Sequence, residues 1–124
     1  MTWKVVWDTD VYEVVWTNAV DGEEIKQIPL VLPADRRFDD ARWALHDFTA
    51  ASSLTVSDAQ MEEYAAFASV AEGCNPRLRF ALIPDRQDVL DFFNAHQRSG
   101  FDAYEGRVFH GRDEALRWLK SGRS

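Results

Sequence analysis

From Arg42 to Lys120 the chain repeats one pattern three times: a short apolar run of strand length, a break, then an amphipathic stretch of helical period. Two parallel neighbours in a sheet cannot be joined by a tight turn. They need a crossover, most often a helix, so this alternation predicts a largely parallel sheet with helices packed on it.

The first unit opens with Arg42–Phe48, mostly apolar, which predicts a buried strand leading into a loop at Thr49-Ala50-Ala51-Ser52-Ser53. Ser57-Asp58-Ala59-Gln60 then reads as a capping box, in which a Ser hydroxyl and a Gln amide satisfy the first free N–H groups of a helix. That helix is predicted to run to about Glu72. Met61, Tyr64, Ala65, Ala68 and Ala71 form its inner stripe, Phe67 and Val70 widen it, and Gly73 supplies a left-handed C-terminal cap. In the second unit Leu78, Phe80 and Leu82 alternate with Arg79, Ala81 and Ile83, Pro84 stops the strand, and Asp85 has the chemistry of an N-cap. Val89, Phe92, Phe93 and His96 mark the next helical stripe, ended by Gly100. The third unit is a strand over Arg107–His110 and a helix over Asp113–Lys120, with Ala115, Leu116 and Leu119 facing inward.

Ahead of these units, Thr2–Trp7 and Val11–Thr17 are rich in Val, Trp and Tyr and flank Asp8-Thr9-Asp10, which predicts an antiparallel hairpin. The two-residue period of a strand puts Trp3, Val5 and Trp7 on one face, and likewise Tyr12, Val14 and Trp16. Between hairpin and first unit, Asp21-Gly22-Glu23-Glu24 suits a helix N-terminus, but Pro29 and Pro33 limit the segment 21–34 to a short or kinked helix. With 124 residues, no repeat of the residues themselves and no linker, the expectation is a single domain over 1–124.

From Arg37 onward the chain resembles the STAS/SpoIIAA-like family, bacterial domains related to anti-sigma-factor antagonists and to the cytoplasmic domains of sulfate transporters. The resemblance lies in Arg37-Phe38-Asp39, His46-Asp47-Phe48, Arg77–Ile83, and Arg107-Val108-Phe109 with Glu114–Leu119. It implies an α/β sheet of about five strands, mostly parallel with an antiparallel N-terminal hairpin. It also implies an interaction or regulatory role with a protein partner, without enzymatic activity. In regulatory members a phosphorylatable Ser follows the strand that ends in Asp, usually beside a Ser-Gly pair. Here that region holds Ser52, Ser53 and Ser57 and no Gly, so these three are candidates for phosphorylation or partner contact by position alone. STAS-like folds also resemble lipid carriers, which makes a small-molecule or lipid-binding domain the alternative function.

No run of residues amounts to a complete catalytic motif. In a parallel sheet, ligands gather beyond the carboxyl ends of the strands, where His46, Asp47, Asp85 and His110 are expected. A His beside a carboxylate has the makings of a general base, but adjacent His46 and Asp47 would point to opposite faces of a regular strand. An enzyme using His46, Asp47 or His110 is therefore the lowest-ranked reading. His46, His96 and His110 share no metal-ligand spacing, and Cys74 as the only cysteine rules out a disulfide within the chain or a zinc site of several thiolates. No metal or other cofactor is expected. Cys74 reads as a small buried hydrophobe and His96 as a boundary residue of the core.

The net charge of -7 removes the attraction that nucleic-acid phosphates and anionic membranes rely on, so neither is an expected partner. The acidic excess falls within residues 1–76, whereas 77–124 is slightly basic. No signal-type leader and no stretch of about 18 apolar residues appears, so a cytoplasmic protein is expected. Five tryptophans are the one compositional excess, three of them in the hairpin. Core packing is the better account of them, and any part left exposed would be a dimer contact or a pocket wall. A homodimer is expected because hairpin edges need cover.

Overall fold

The structure, a computed structural model, describes residues 2–75, 77–98 and 105–121, excluding the side chains of 96–98 and 105. Strands β1 (Trp3–Trp7) and β2 (Val11–Asp21) form the antiparallel hairpin, with Trp3 opposite Trp16, Val5 opposite Val14 and Trp7 opposite Tyr12. Those six side chains share one face, as the two-residue period requires. Asp8 and Val11 close the turn through a backbone hydrogen bond of 2.8 Å.

Two single-turn helices follow in place of one, α1 (Gly22–Ile25) and α2 (Ile28–Val31), then a 3-10 turn over Arg36–Asp40. Pro29 sits in the first turn of α2, where its missing N–H costs nothing, and this divides the segment. Then come β3 (Trp43–Thr55), α3 (Asp58–Cys74), β4 (Arg79–Ile83), α4 (Gln87–Arg98), β5 (Glu105–Val108) and α5 (Arg112–Ser121). The strand order is β1-β2-β3-β4-β5, with every pair after the first parallel.

The order explains the layers. Each crossover moves one strand further in the same direction, and because crossovers are right-handed, each lands on the same face of the sheet. Ile25, Ile28, Leu32, Tyr64, Ala68, Phe92 and Phe93 from these segments therefore close one core over Val14, Trp16, Phe48 and Leu82. Among the described residues, only α5 lies on the opposite face, where Ala115 and Leu119 cover Leu45, Ala81 and Ile83.

Several local expectations are corrected. The loop expected after Phe48 is strand, because β3 runs on to Thr55 and pairs with the far half of β2, Thr17 to Asp21. Register shifts after Val15 and Asn18 break the regular alternation there, and Asn18 takes a left-handed φ of 60°. Gly73 is no cap: α3 passes through it and ends at Asn75, whose amide donates to the carbonyls of Phe38 and Ala41 at 2.7 Å each. Cys74 is exposed, not buried, as the last residue of a helix that runs two residues past Glu72, and Val70, expected to widen the inner stripe, faces solvent at 69 % exposure. Asp85 has a φ of 52°, outside the extended region an N-cap needs, and α4 begins two residues later. The last strand is Glu105–Val108, so His110 lies beyond it. The expected Gly100 stop and the His96 side chain fall outside the described residues.

Candidate functional site

Two concave features lie on the helix-covered face. The first is a groove of about 300 Å³ between the end of β3 and the first turns of α3 and α4. Ser57 stands at its rim. Its Oγ accepts from Gln60 N at 3.1 Å while Gln60 Oε1 accepts from Ser57 N at 3.0 Å, which is the capping box predicted by Ser57-Asp58-Ala59-Gln60. Gln60 Nε2 also donates to Glu23 at 3.2 Å, and Lys26 pairs with Glu63 at 2.9 Å, so α1 is tied to the start of α3. Gly22 leaves room for this, because a Cβ on it would sit 2.1 Å from Gln60 Oε1 and displace the Gln60 arm of the capping box. The Gln60 bond, helped by Lys26, holds the Glu23 carboxyl below its ordinary pKa.

Val56, Met61 and Phe92 form an apolar floor, and Asp58, Asp88 and Asp91 contribute acidic groups. Asp88 is already engaged: it accepts from Leu54 N at 3.0 Å and pairs with Arg86 at 3.1 Å. This closes part of the outer edge of β3, which β4 leaves bare beyond Asp47. Asp47 closes another part by accepting from Thr49 N at 2.9 Å. Side chains thus take up edge N–H groups that would otherwise invite another strand. Ser52 is exposed and Ser53 half-buried, both on the β3 extension and not in a loop.

The second feature is a partly open cavity of about 60 Å³ between the sheet and the helices α2, α3 and α4. His46 belongs to its wall, with its ring set edge-on to Tyr12 and Phe80 at 6.4 Å from each. His46 as a whole is partly exposed, yet its Nδ1 touches no solvent and has no hydrogen-bond partner. Burial among these rings pushes its pKa down to about 4, because charge on the imidazole would lose hydration with nothing to replace it. Glu72, only 5 % exposed, also lines this cavity. Nothing in the sequence reading marked Glu72, although it lies one helical turn beyond Ala68 and so borders the same stripe.

His46, Asp47, Asp85 and His110 do not converge. His46 is paired with Val14 and Leu82 in the middle of the sheet and faces α3 and α4. Asp47 faces the other way, where its charge helps keep Arg112 protonated behind the main effect, the Glu13 ion pair. The sheet separates the two. Asp85 and His110 are exposed at the end of the sheet where β4 and β5 stop. Among the described residues, no three His, Cys, Asp or Glu side chains are grouped to hold a metal ion.

A mixed five-stranded sheet whose crossovers all pack on one face is the STAS/SpoIIAA-like fold, and the solved structures agree. The anti-sigma factor antagonist SpoIIAA in its unphosphorylated form superposes with a TM-score of 0.57 at 9% identity, over 98% of each chain. An uncharacterised DUF3478-family protein with a SpoIIAA-like fold from Shewanella loihica PV-4 also gives a TM-score of 0.57. It is 19% identical, over 94% of this chain and 91% of that one. No family model matches the sequence, and no curated protein is similar to it in sequence. The likeness therefore rests on the fold. Among the described residues, no helix is long and apolar enough to cross a membrane.

Proposed function

We propose that this protein is a non-enzymatic interaction module of the STAS type that docks a protein partner in the groove between the first turns of α3 and α4. One observation carries the reading: in a SpoIIAA-like fold, an exposed Ser57 stands at a helix start, on the rim of an apolar-floored, acidic groove. Met61 and Phe92 supply area to bury, and Asp58 and Asp91 favour a partner surface with basic groups around an apolar anchor. Of the three candidate serines, Ser57 has the strongest case as a switch. Phosphate there would meet the free N–H groups of α3 but would also add negative charge beside Asp58 and Asp91, altering what the groove accepts. Ser52 and Ser53, on the adjoining strand, would widen the contact surface.

The test is affinity capture from the native host followed by reconstitution with the purified partner. Met61→Glu and Asp91→Lys should each weaken binding at least tenfold, while Lys120→Glu, on α5, should leave it unchanged. Equal binding by all three variants, or no effect of substituting Ser52, Ser53 and Ser57 together, would refute the reading. The same proposal includes a cytoplasmic setting and a homodimer through the β1 edge, where Val6 is 50 % exposed. Light scattering showing a monomer at high concentration would remove the dimer.

A further inference from the structure

The cavity shares no lining residue with the groove, and it presents a different chemistry. Interiors pack to near crystal density, so a void of about 60 Å³ beside a buried nitrogen without a partner is unusual. Tyr12, Phe38, Tyr64, Phe80 and Phe93 share the wall with aliphatic residues such as Ile28, Leu32 and Leu78, so it is mostly apolar. The His46 backbone is held between Val14 and Leu82, so the imidazole cannot turn to the outer face without breaking the sheet register.

We propose that this cavity binds a small, uncharged molecule with a slim apolar body and a single hydroxyl, the hydroxyl bonding to Nδ1 of His46. Each part of that description follows from the wall. A carboxylate head is disfavoured because Glu72 lies buried in the wall and no Lys or Arg lines the cavity. An ammonium head has no free carboxylate to meet, as Glu72 is already engaged. A hydroxyl both donates and accepts, so it satisfies Nδ1 in either tautomer of the neutral ring. The volume decides the body: apolar cavities of roughly 150 Å³ take a benzene ring, so the smaller space here suits an unbranched alkyl chain that can extend through the open side. Water would fit by size, but it would leave the apolar part of the wall, Ile28, Leu32, Leu78 and Phe93 among it, without a partner.

The test uses the whole chain labelled uniformly with 15N and titrated with 1-pentanol, 1-chloropentane and pentanoate. Pentanol should shift the His46 ring nitrogens saturably, along with the amides of Val14 and Leu82, and pentanoate should not. His46→Phe keeps a planar ring and removes the nitrogen, and because phenyl is larger than imidazole the readout is a ratio between two ligands with the same alkyl body. The ratio of pentanol to chloropentane affinity should therefore be about threefold to tenfold larger in the wild type than in the variant, the worth of one net hydrogen bond. Ala68→Leu, which fills the cavity from α3, should abolish binding of both while the circular dichroism spectrum stays native. The proposal is overturned if pentanol gives no saturable shift, if the shifts map to the α3–α4 groove, or if His46→Phe leaves the ratio unchanged.

Discussion

Acid should destabilise this protein through His46 before it does so through most of its carboxylates. In the unfolded chain a histidine takes up a proton near pH 6.5, whereas in the fold burial defers this to about pH 4. Between those values the unfolded state holds more protons than the native one, so stability rises with pH across the window and is level above it. Lowering the pH from 7 to 5 crosses about one and a half units of the window at roughly 1.4 kcal/mol per unit, so the loss is about 2 kcal/mol. Taken to pH 4, the same argument gives about 3 kcal/mol.

The perturbation that isolates this effect is His46→Phe, which fits the same aromatic surroundings and cannot titrate. Urea unfolding followed by tryptophan fluorescence at pH 7 and pH 5 supplies the stabilities, with five tryptophans as reporters. The wild type should lose about 2 kcal/mol between the two pH values and the variant much less. The lowered carboxyls of Glu24 and of Asp35, the latter at about 2, act mainly at lower pH and are present in both proteins, as are the other two histidines. An equal loss in wild type and variant would show that the ring is charged in the native state or is solvated, and the electrostatic account of the cavity would fall.

Asn75→Ala removes two 2.7 Å bonds that tie the end of α3 to the turn before β3, and it should cost about 2 kcal/mol or more in urea unfolding. Ser57→Ala should cost about 1 kcal/mol by removing the α3 cap, and Ser57→Asp, which can still accept from Gln60 N, should recover most of it. Gly106→Ala places a Cβ 2.3 Å from the Phe80 ring and should lower stability by about 1–3 kcal/mol; adding Phe80→Leu should restore part of the loss, as read by Tm. Cys74 should react with a thiol reagent as fast in the native protein as in urea, a result that a buried thiol would not give.

The parts legible in the sequence are those where one face is buried and the pattern is local. The hairpin and α3 with its N-cap fall in that class, because periods of two and 3.6 appear directly in the order of residues, and β4, buried on both faces, is legible instead as a short apolar run ended by Pro84. The β3 extension was not legible. Its small and hydroxyl-bearing residues have turn chemistry, and what holds them extended is pairing with the far end of β2, more than thirty residues away and across two register shifts. Gly73 was misleading for a related reason: α3 runs on to where Asn75 bonds two carbonyls of the turn before β3, a contact with residues more than thirty positions away. The opposite orientations of His46 and Asp47 did follow from strand alternation alone. The cavity did not, since its wall is assembled from residues between Tyr12 and Phe93, and a void leaves no periodic trace.

The one-sided placement of the crossovers also accounts for the character of the hairpin. Among the described residues α5 alone lies on the outer face, covering β3 and β4, and the outer face of β1 and β2 has little above it beyond an ion pair between Arg112 and Glu13. Lys4 and Val6 are consequently exposed there, while Trp3, Val5 and Trp7, one residue out of phase, pack into the core. Tryptophan is used on the inner face because β1 is an edge strand with a single neighbour: a large ring covers more of the core per residue and compensates for the strand that is missing beside it. The tilted contact of Trp7 with Tyr12 at 5.1 Å, and the Arg37 guanidinium 4.7 Å above the Trp7 ring, continue that cover to the margin of the sheet. The excess of tryptophan is thus first a consequence of topology, and the aromatic part of the cavity wall extends the same inner layer through Tyr12.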